Sequence, residues 1–218
     1  SNIRSAIARC NLFRSTAPDA LVPVAEKVKM ITLRRAARIY AEGERSSAFY
    51  IVAGGRVMLT VSATPAATKV IELVGTGGHF GLAAAVLGTP HATNAETLAD
   101  STLLVVPHAV LIEQATAHAE LGLRIATALG REVFALTDDI AALCLRSGRQ
   151  RVAGYLLSTA SANVMRARPF PLPAKKSIIA SRLGLTPEYF SRMLHDLIAA
   201  GAIAVEGRHV TILDAARL

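Results

Sequence analysis

The sequence has 218 residues, a formal charge of +8, two cysteines and no tryptophan, and 52% of it is hydrophobic. That length fits one large domain or two modest ones, enough to bury a core without disulfides or metals. Alanine, with 40 in the chain, makes up about a third of the apolar residues, and no run approaches the ~18 uninterrupted apolar residues of a membrane-spanning helix.

Cys10 and Cys144 cannot build a disulfide framework and point to a reducing compartment. No charged-then-apolar leader opens the sequence, so the expectation is a cytoplasmic protein with no membrane partner. From Met30 to Pro107 the pattern is short apolar or alternating runs: Ala48–Val52, Arg56–Val61, Lys69–Val74 and Thr102–Val106. Glycine-marked turns separate them, among them Gly54-Gly55 and Gly75-Thr76-Gly77-Gly78. Evenly spaced short strands with such turns predict an antiparallel sandwich or barrel.

From His108 to Arg146 proline disappears and apolar residues recur at a 3-4 spacing. Ala126, Val133 and Ile140 can take a positions of a heptad, with Leu129, Leu136 and Leu143 at d. Such a seam lets two helices pack knobs into holes, and a helix packed on its own domain gives the same pattern. After Ser147 the spacing predicts a helix over Gln150–Ser161, then a loop holding Arg166, Arg168, Pro169, Pro171 and Pro173. Two short helices follow, Lys175–Leu183 and Pro187–Ala200, joined by Gly184-Leu185-Thr186. Thr186 suits an N-cap, Pro187 the first helical position and Glu188 the first turn. Two β-like runs, Ala202–Val205 and His209–Leu213, then bracket Glu206-Gly207-Arg208 as a hairpin wing.

Charge is unevenly spread. Residues 147–218 carry ten Lys/Arg against four Asp/Glu, so one third of the chain holds +6 of the +8. A solvated basic face explains that, and so does a polyanionic partner whose phosphates release counterions on binding. A tight turn between two short helices, a basic shell and a following hairpin describe a winged helix-turn-helix. Glu188, Ser191 and Arg192 fall at i, i+3 and i+4 and share one face of the second helix. Arginine can bond guanine O6 and N7, glutamate can accept from cytosine N4, and serine serves several base edges. Glu188 and Arg192 are also at the spacing of an ordinary surface ion pair. Lys175, Lys176, Arg182 and Arg208 are the candidate phosphate contacts. Phe190, Met193, Leu194 and Leu197 form the opposing face and are expected in the core.

The stretch Ile178-Ile179-Ala180-Ser181-Arg182-Leu183-Gly184-Leu185-Thr186-Pro187-Glu188-Tyr189-Phe190-Ser191-Arg192 closely resembles the CRP/FNR superfamily of bacterial transcription regulators. Its Glu188, Ser191 and Arg192 look like an FNR-type reading head, which implies a TTGA-type half-site in an inverted repeat. The stretch Arg151–Leu157, with Gly207-Arg208 and Ile212-Leu213-Asp214, is most similar to the subgroup regulating dissimilatory nitrate respiration. Upstream, Phe49-Tyr50-Ile51-Val52, Gly55, Val57, Gly75, Gly77, Phe80 and Gly81 resemble the family's β-roll. The resemblance implies an α+β protein in three parts. Residues 1–107 form an antiparallel, jelly-roll-like β-roll sensor, 108–146 a long dimerisation helix, and 147–218 the winged helix-turn-helix. It also implies a homodimer on double-stranded DNA, with RNA polymerase as a further partner, and no enzyme activity.

The effector is tested against residues. Cyclic-nucleotide members use Phe-Gly-Glu followed by a phosphate-binding arginine. Here Phe80-Gly81-Leu82 stands, with His91 near the arginine's place, so these four are the expected effector-pocket residues while cAMP is not expected. Iron–sulfur members need about four thiolates per subunit, more than Cys10 and Cys144 supply. A Cys10–Cys144 thiol switch is the alternative to a cysteine buried as a small hydrophobe. Haem remains the option implied by likeness to the nitrate-respiration subgroup, with His79, His91, His108 and His118 as candidate axial ligands. A cupin-like β-barrel enzyme needs His-x-His, which is absent, and no P-loop, Gly-x-Ser-x-Gly or His-Glu-x-x-His occurs. A basic architectural DNA binder leaves the first half of the chain without a purpose.

Overall fold

A computed structural model describes residues 3–13, 18–64, 67–160 and 168–218, so Ser161 and Arg166 lie outside the described residues. The chain divides into two compact units, Ser1–Ala135 and Leu136–Leu218.

The first unit holds β1 (Lys29–Leu33), β2 (Arg38–Tyr40), β3 (Ala48–Gly54), β4 (Arg56–Thr64), β5 (Ala67–Gly75), β6 (His79–Phe80), β7 (Asn94–Thr97) and β8 (Ser101–Pro107). They form two antiparallel four-stranded sheets, ordered β1-β8-β3-β6 and β2-β7-β4-β5. Tyr40, Val52, Val57, Leu59, Val74, Phe80, Ala95 and Leu103 fill one core of the roll. The continuous apolar runs in β3 and β8 have a physical reason. Phe49, Ile51, Leu104 and Val106 point to a second core, while Val52 and Leu103 point to the first. A strand buried on both faces loses the polar half of its alternation.

Helices build that second core: α1 (Ile3–Arg9), α2 (Pro18–Lys27), α3 (Leu82–Leu87), α4 (His108–Ala117) and the start of α5 (Ala119–Leu145). The β-roll expected over residues 1–107 therefore begins with two helices that the sequence pattern does not predict. Ile3, Ala6, Ile7 and Cys10 do recur on one helical face, but seven residues are too few to stand out, and tertiary packing stabilises them. The single helix expected over 108–146 is also corrected. His118 takes an extended conformation (φ −127, ψ 98) and separates α4 from α5. Its N–H donates to Gln114 and its carbonyl accepts from Leu121 and Gly122, ending one helix and starting the next. Val110 and Leu121 are both buried and lie about three turns apart, so the apolar rhythm runs through the break unbroken.

The second unit holds the rest of α5, then α6 (Gly148–Ala160), β9 (Phe170–Pro171), α7 (Lys176–Arg182), α8 (Pro187–Ala199), β10 (Ile203–Glu206) and β11 (His209–Ile212). A capping box opens α6: Gln150 N donates to Ser147 Oγ, and Ser147 N donates to Gln150 Oε1 at 2.9 Å. The wing is a three-stranded sheet, β10-β11-β9, rather than the expected hairpin alone. Phe170 and Pro171 of the proline-rich loop pair with Val210 and His209. An edge strand tolerates a residue without an N–H, which is why a proline run conceals it. Val152, Leu156, Ile179, Phe190, Leu194, Leu197, Ile203 and Val210 close this unit's core, each at most 2% exposed. Among the described residues, no helix is long and apolar enough to cross a membrane.

Candidate DNA-reading face and sensor cavity

Three features build the reading helix locally. Gly184 adopts φ 65, a left-handed turn that ends α7. Thr186 then accepts a hydrogen bond from Tyr189 N at 3.2 Å, and Pro187 begins α8. Phe190, Met193, Leu194 and Leu197 are buried behind it as expected. Glu188 and Arg192 are therefore exposed at the helix's N-terminal end, with Ser191 half-exposed between them. Glu188 and Arg192 form no ion pair among the described residues. Instead the Arg192 guanidinium carbon lies over the Tyr189 ring, 5.0 Å from its centroid.

The candidate phosphate contacts separate into two groups. Lys175, the N-cap of α7, and Lys176 are exposed. Arg182 is occupied, its guanidinium bonding the Asp139 carboxylate of α5 at 2.5 Å with both side chains largely covered. Arg208 donates to Leu172 O at 3.1 Å and accepts from Leu172 N, a clamp that fixes the wing.

Along α5 the candidate seam residues differ in exposure. Val133 and Ile140 are each 62% exposed, Leu136 49% and Leu143 41%, and Ala126 is exposed as well. Leu129 turns inward and packs against its own unit's core. Leu123, Ala126, Gly130, Val133, Thr137, Ile140 and Cys144 share the same 3-4 spacing and are all exposed, a stripe rotated away from the Leu129 side. Exposed Phe134 borders it.

In the roll, the expected effector residues Phe80 and Leu82 are buried at 2% and 1%. His91 is buried too, stacked on Tyr40 with ring centroids 3.6 Å apart and planes within 5°. Tyr50 and Phe80 stack at 5.1 Å, and Gly81 leaves room for the His91 ring. Burial pushes the His91 pKa down and holds the Tyr40 hydroxyl up at about 12. This is a packed aromatic cluster with a neutral imidazole.

A cavity of about 730 Å³ opens elsewhere in the same unit. Its walls include Leu12, Leu73 and Val74, the turn Gly75–His79, and Leu123, Arg124, Ala128, Arg131 and Glu132 of α5. Within it Arg124 pairs with Glu120 at 2.7 Å, and His79 Nε2 lies 3.4 Å from Glu132 Oε1. Burial alone lowers the His79 pKa, but the neighbouring Cys10 and the Glu132 carboxylate outweigh that and raise it to about 9. Of the four candidate ligand histidines, His79 lines the cavity. His108 bonds the Ala85 carbonyl through Nδ1, and His118 is exposed at the helix break. Sequence reasoning passed over Arg124, Arg131 and Glu132, although the charges at 120, 124 and 131 mark a polar flank at helical spacing on an otherwise apolar helix. It places Tyr189 at the start of the second helix but gives it no role of its own.

Residues 150–218 match the Crp-like helix-turn-helix domain, and residues 30–118 match the cyclic nucleotide-binding domain. The chain belongs to the CRP/FNR family. This CRP/FNR regulator is 22% identical to a CRP-like cAMP-activated global transcriptional regulator of Mycobacterium tuberculosis, over 97% of this chain and 96% of that one. Its fold is that of FixK2 from Bradyrhizobium japonicum, with a TM-score of 0.80 at 24% identity over 87% of this chain and 94% of that one. DNR from Pseudomonas aeruginosa is 26% identical with a TM-score of 0.51, over 98% of this chain and 95% of that one. As a CRP/FNR regulator the chain binds DNA and controls transcription.

The His79–Glu132 contact has a pH signature. A folded pKa near 9 lies above the ordinary 6.5, so the protonated form is favoured by folding. Its contribution is complete below pH 6.5 and is lost as pH rises through about 9. The thermal midpoint of the wild type should fall across that window, and Glu132→Gln should flatten the fall in part, because Cys10 also raises the pKa. Parallel melting curves of the two proteins from pH 6 to 9.5 check this.

Proposed function

We propose that the chain is a homodimeric regulator that reads a TTGA-type inverted repeat under the control of an effector other than a cyclic nucleotide. The observation that carries this reading is the joint presentation of Glu188, Ser191 and Arg192 at the N-terminal end of α8, with Lys175 and Lys176 exposed nearby in sequence. In this reading residues 1–107 sense, 108–146 dimerise and 147–218 bind DNA. RNA polymerase as a partner, and kinship with the nitrate-respiration subgroup, follow from the resemblance alone. The exposed 3-4 stripe on α5 supports pairing with a second copy, which places two reading heads about one DNA turn, ~34 Å, apart.

Three observations support an effector other than cAMP. Leu82 stands where a ribose-binding carboxylate is needed, and it is buried. His91 is stacked, with its pKa lowered by burial, and supplies no counter-charge for a phosphate. The aromatic cluster itself fills space in the roll. We assign the effector instead to the cavity lined by His79, Arg124 and Arg131, whose size suits a small organic molecule. Haem fits poorly at the candidate histidines. Cys10 and Glu132 favour the protonated form of His79 over the neutral ring that iron needs, His91 is stacked, His108 is bonded to a carbonyl, and His118 is exposed at the helix break. With two cysteines in the chain, an iron–sulfur cluster lacks ligands. Effector binding acts by differential affinity for two states of the dimer.

Gel shifts on TTGA-type palindromes should show preference over scrambled duplex. In the same assay Arg192→Ala should lose ~1–3 kcal/mol of discrimination at one guanine, while Lys176→Ala should weaken all sequences alike and flatten the salt slope. No preference at any effector condition overturns the reading head. Leu136→Lys should convert the dimer to monomer in sedimentation, and an unchanged oligomer overturns the α5 seam. Added haem should leave the free-haem absorption band unshifted and operator affinity unchanged, whereas a sharp, shifted band restores haem as the effector.

A further inference from the structure

Tyr189 belongs to none of the roles described so far, and its surroundings are unusual for a residue on a reading helix. It is half-buried at the third position of α8, between exposed Glu188 and buried Phe190. Its backbone N–H is held by the Thr186 cap. Its ring lies flush on the first residue of α6. A Cβ added at Gly148 would stand 2.4 Å from Tyr189 Cε1 and 2.9 Å from Cζ, closer than any real side chain approaches. Against this same ring rests the Arg192 guanidinium, three residues further along α8.

We propose that Tyr189 is a positioning residue for base readout: its ring, backed by Gly148, is the platform that presents Arg192 to guanine. This rests on the assignment of Arg192 as a reading residue and adds a cause for its selectivity. An arginine side chain has four rotatable bonds and loses much freedom when it binds a base edge. A cation held against an aromatic face loses part of that freedom beforehand. The contact engages the guanidinium's charge and leaves its in-plane N–H groups for bidentate bonding to O6 and N7.

The platform also settles a local competition. Glu188 and Arg192 stand at i, i+4, where their charges attract, yet they form no ion pair among the described residues. With the ring holding Arg192, both side chains stay available as separate readers. Without it, Glu188 becomes the nearest partner for Arg192, and two reading groups neutralise each other. Gly148 is part of the device because a side chain there displaces the ring.

The test uses the full chain and duplexes in which the guanine pair of a TTGA half-site is exchanged for each other pair. Tyr189→Ala should cut discrimination at that pair about three- to tenfold, leaving affinity for scrambled DNA and the salt slope unchanged. Tyr189→Phe keeps the ring and should retain wild-type discrimination. Tyr189→Leu fills the space without a π face and should behave as Tyr189→Ala, so it serves if the alanine variant does not fold. Gly148→Ala, with Tyr189 intact, should reproduce the loss. In the Arg192→Ala background, Tyr189→Leu should have no further effect at that pair. Equal weakening of specific and scrambled DNA by Tyr189→Leu, or full discrimination in that variant, overturns the platform. If Arg192→Ala itself leaves base preference intact, the reading-head assignment fails instead.

Discussion

The packing of Leu121 and Ile125 into the core shared by the N-terminal helices and the roll fixes the azimuth of α5, and the remaining faces of that helix follow from it. Both side chains are nearly fully buried, and each contributes roughly 1.5–3 kcal/mol by leaving water. With that face committed, one flank of Arg124, Ala128, Arg131 and Glu132 turns toward the cavity. The face carrying Val133 and Ile140 is left exposed, with Phe134 beside it. That apolar surface is what the proposed pairing with a second copy would cover. Core and cavity thus share one helix, α5, whose later turns belong to the second unit.

Most of the architecture was legible because it rests on local rules. Thr186, Pro187 and Gly184 punctuate the helix-turn-helix through capping chemistry that acts within a few residues, and the structure follows them closely. The strand runs were legible for a similar reason, since β3 and β8 carry two-sided burial in their composition. What escaped depended on distant contacts. Helix α1 has seven residues and is held by the roll. The break at His118 keeps the apolar phase and so leaves no trace in the pattern. Strand β9 exists because Val210 and His209 offer it a ladder, and a proline-rich stretch gives no sign of that.

The site divides along the same line. Glu188, Ser191 and Arg192 share a face by helix geometry alone, so spacing was enough to group them. The His79–Glu132 contact joins residues more than fifty positions apart, and the Gly148–Tyr189 contact joins two elements. Neither has a periodic signature. The sensor unit carries the opposite lesson. Its glycine-marked turns keep the form of the cyclic nucleotide-binding domain, while inside it Leu82 is buried and His91 is stacked on Tyr40. Backbone form and ligand choice are set by different residues, so one can persist while the other changes.

The Arg182–Asp139 ion pair alters how the basic third of the chain behaves in salt. The ten positive side chains of residues 147–218 are a formal inventory, and an ion pair removes a member from it without changing the sequence. Arg217 is similarly matched by Asp214 at 3.0 Å. Only charges that displace counterions from DNA enter the ionic-strength dependence, at about 0.9 per phosphate neutralised. Under the proposed reading, the grip on arbitrary duplex would therefore be weaker than the formal charge suggests. With Glu188, Ser191 and Arg192 as the proposed base contacts, a larger share of operator affinity would fall to them, which would favour discrimination over retention on the rest of a genome.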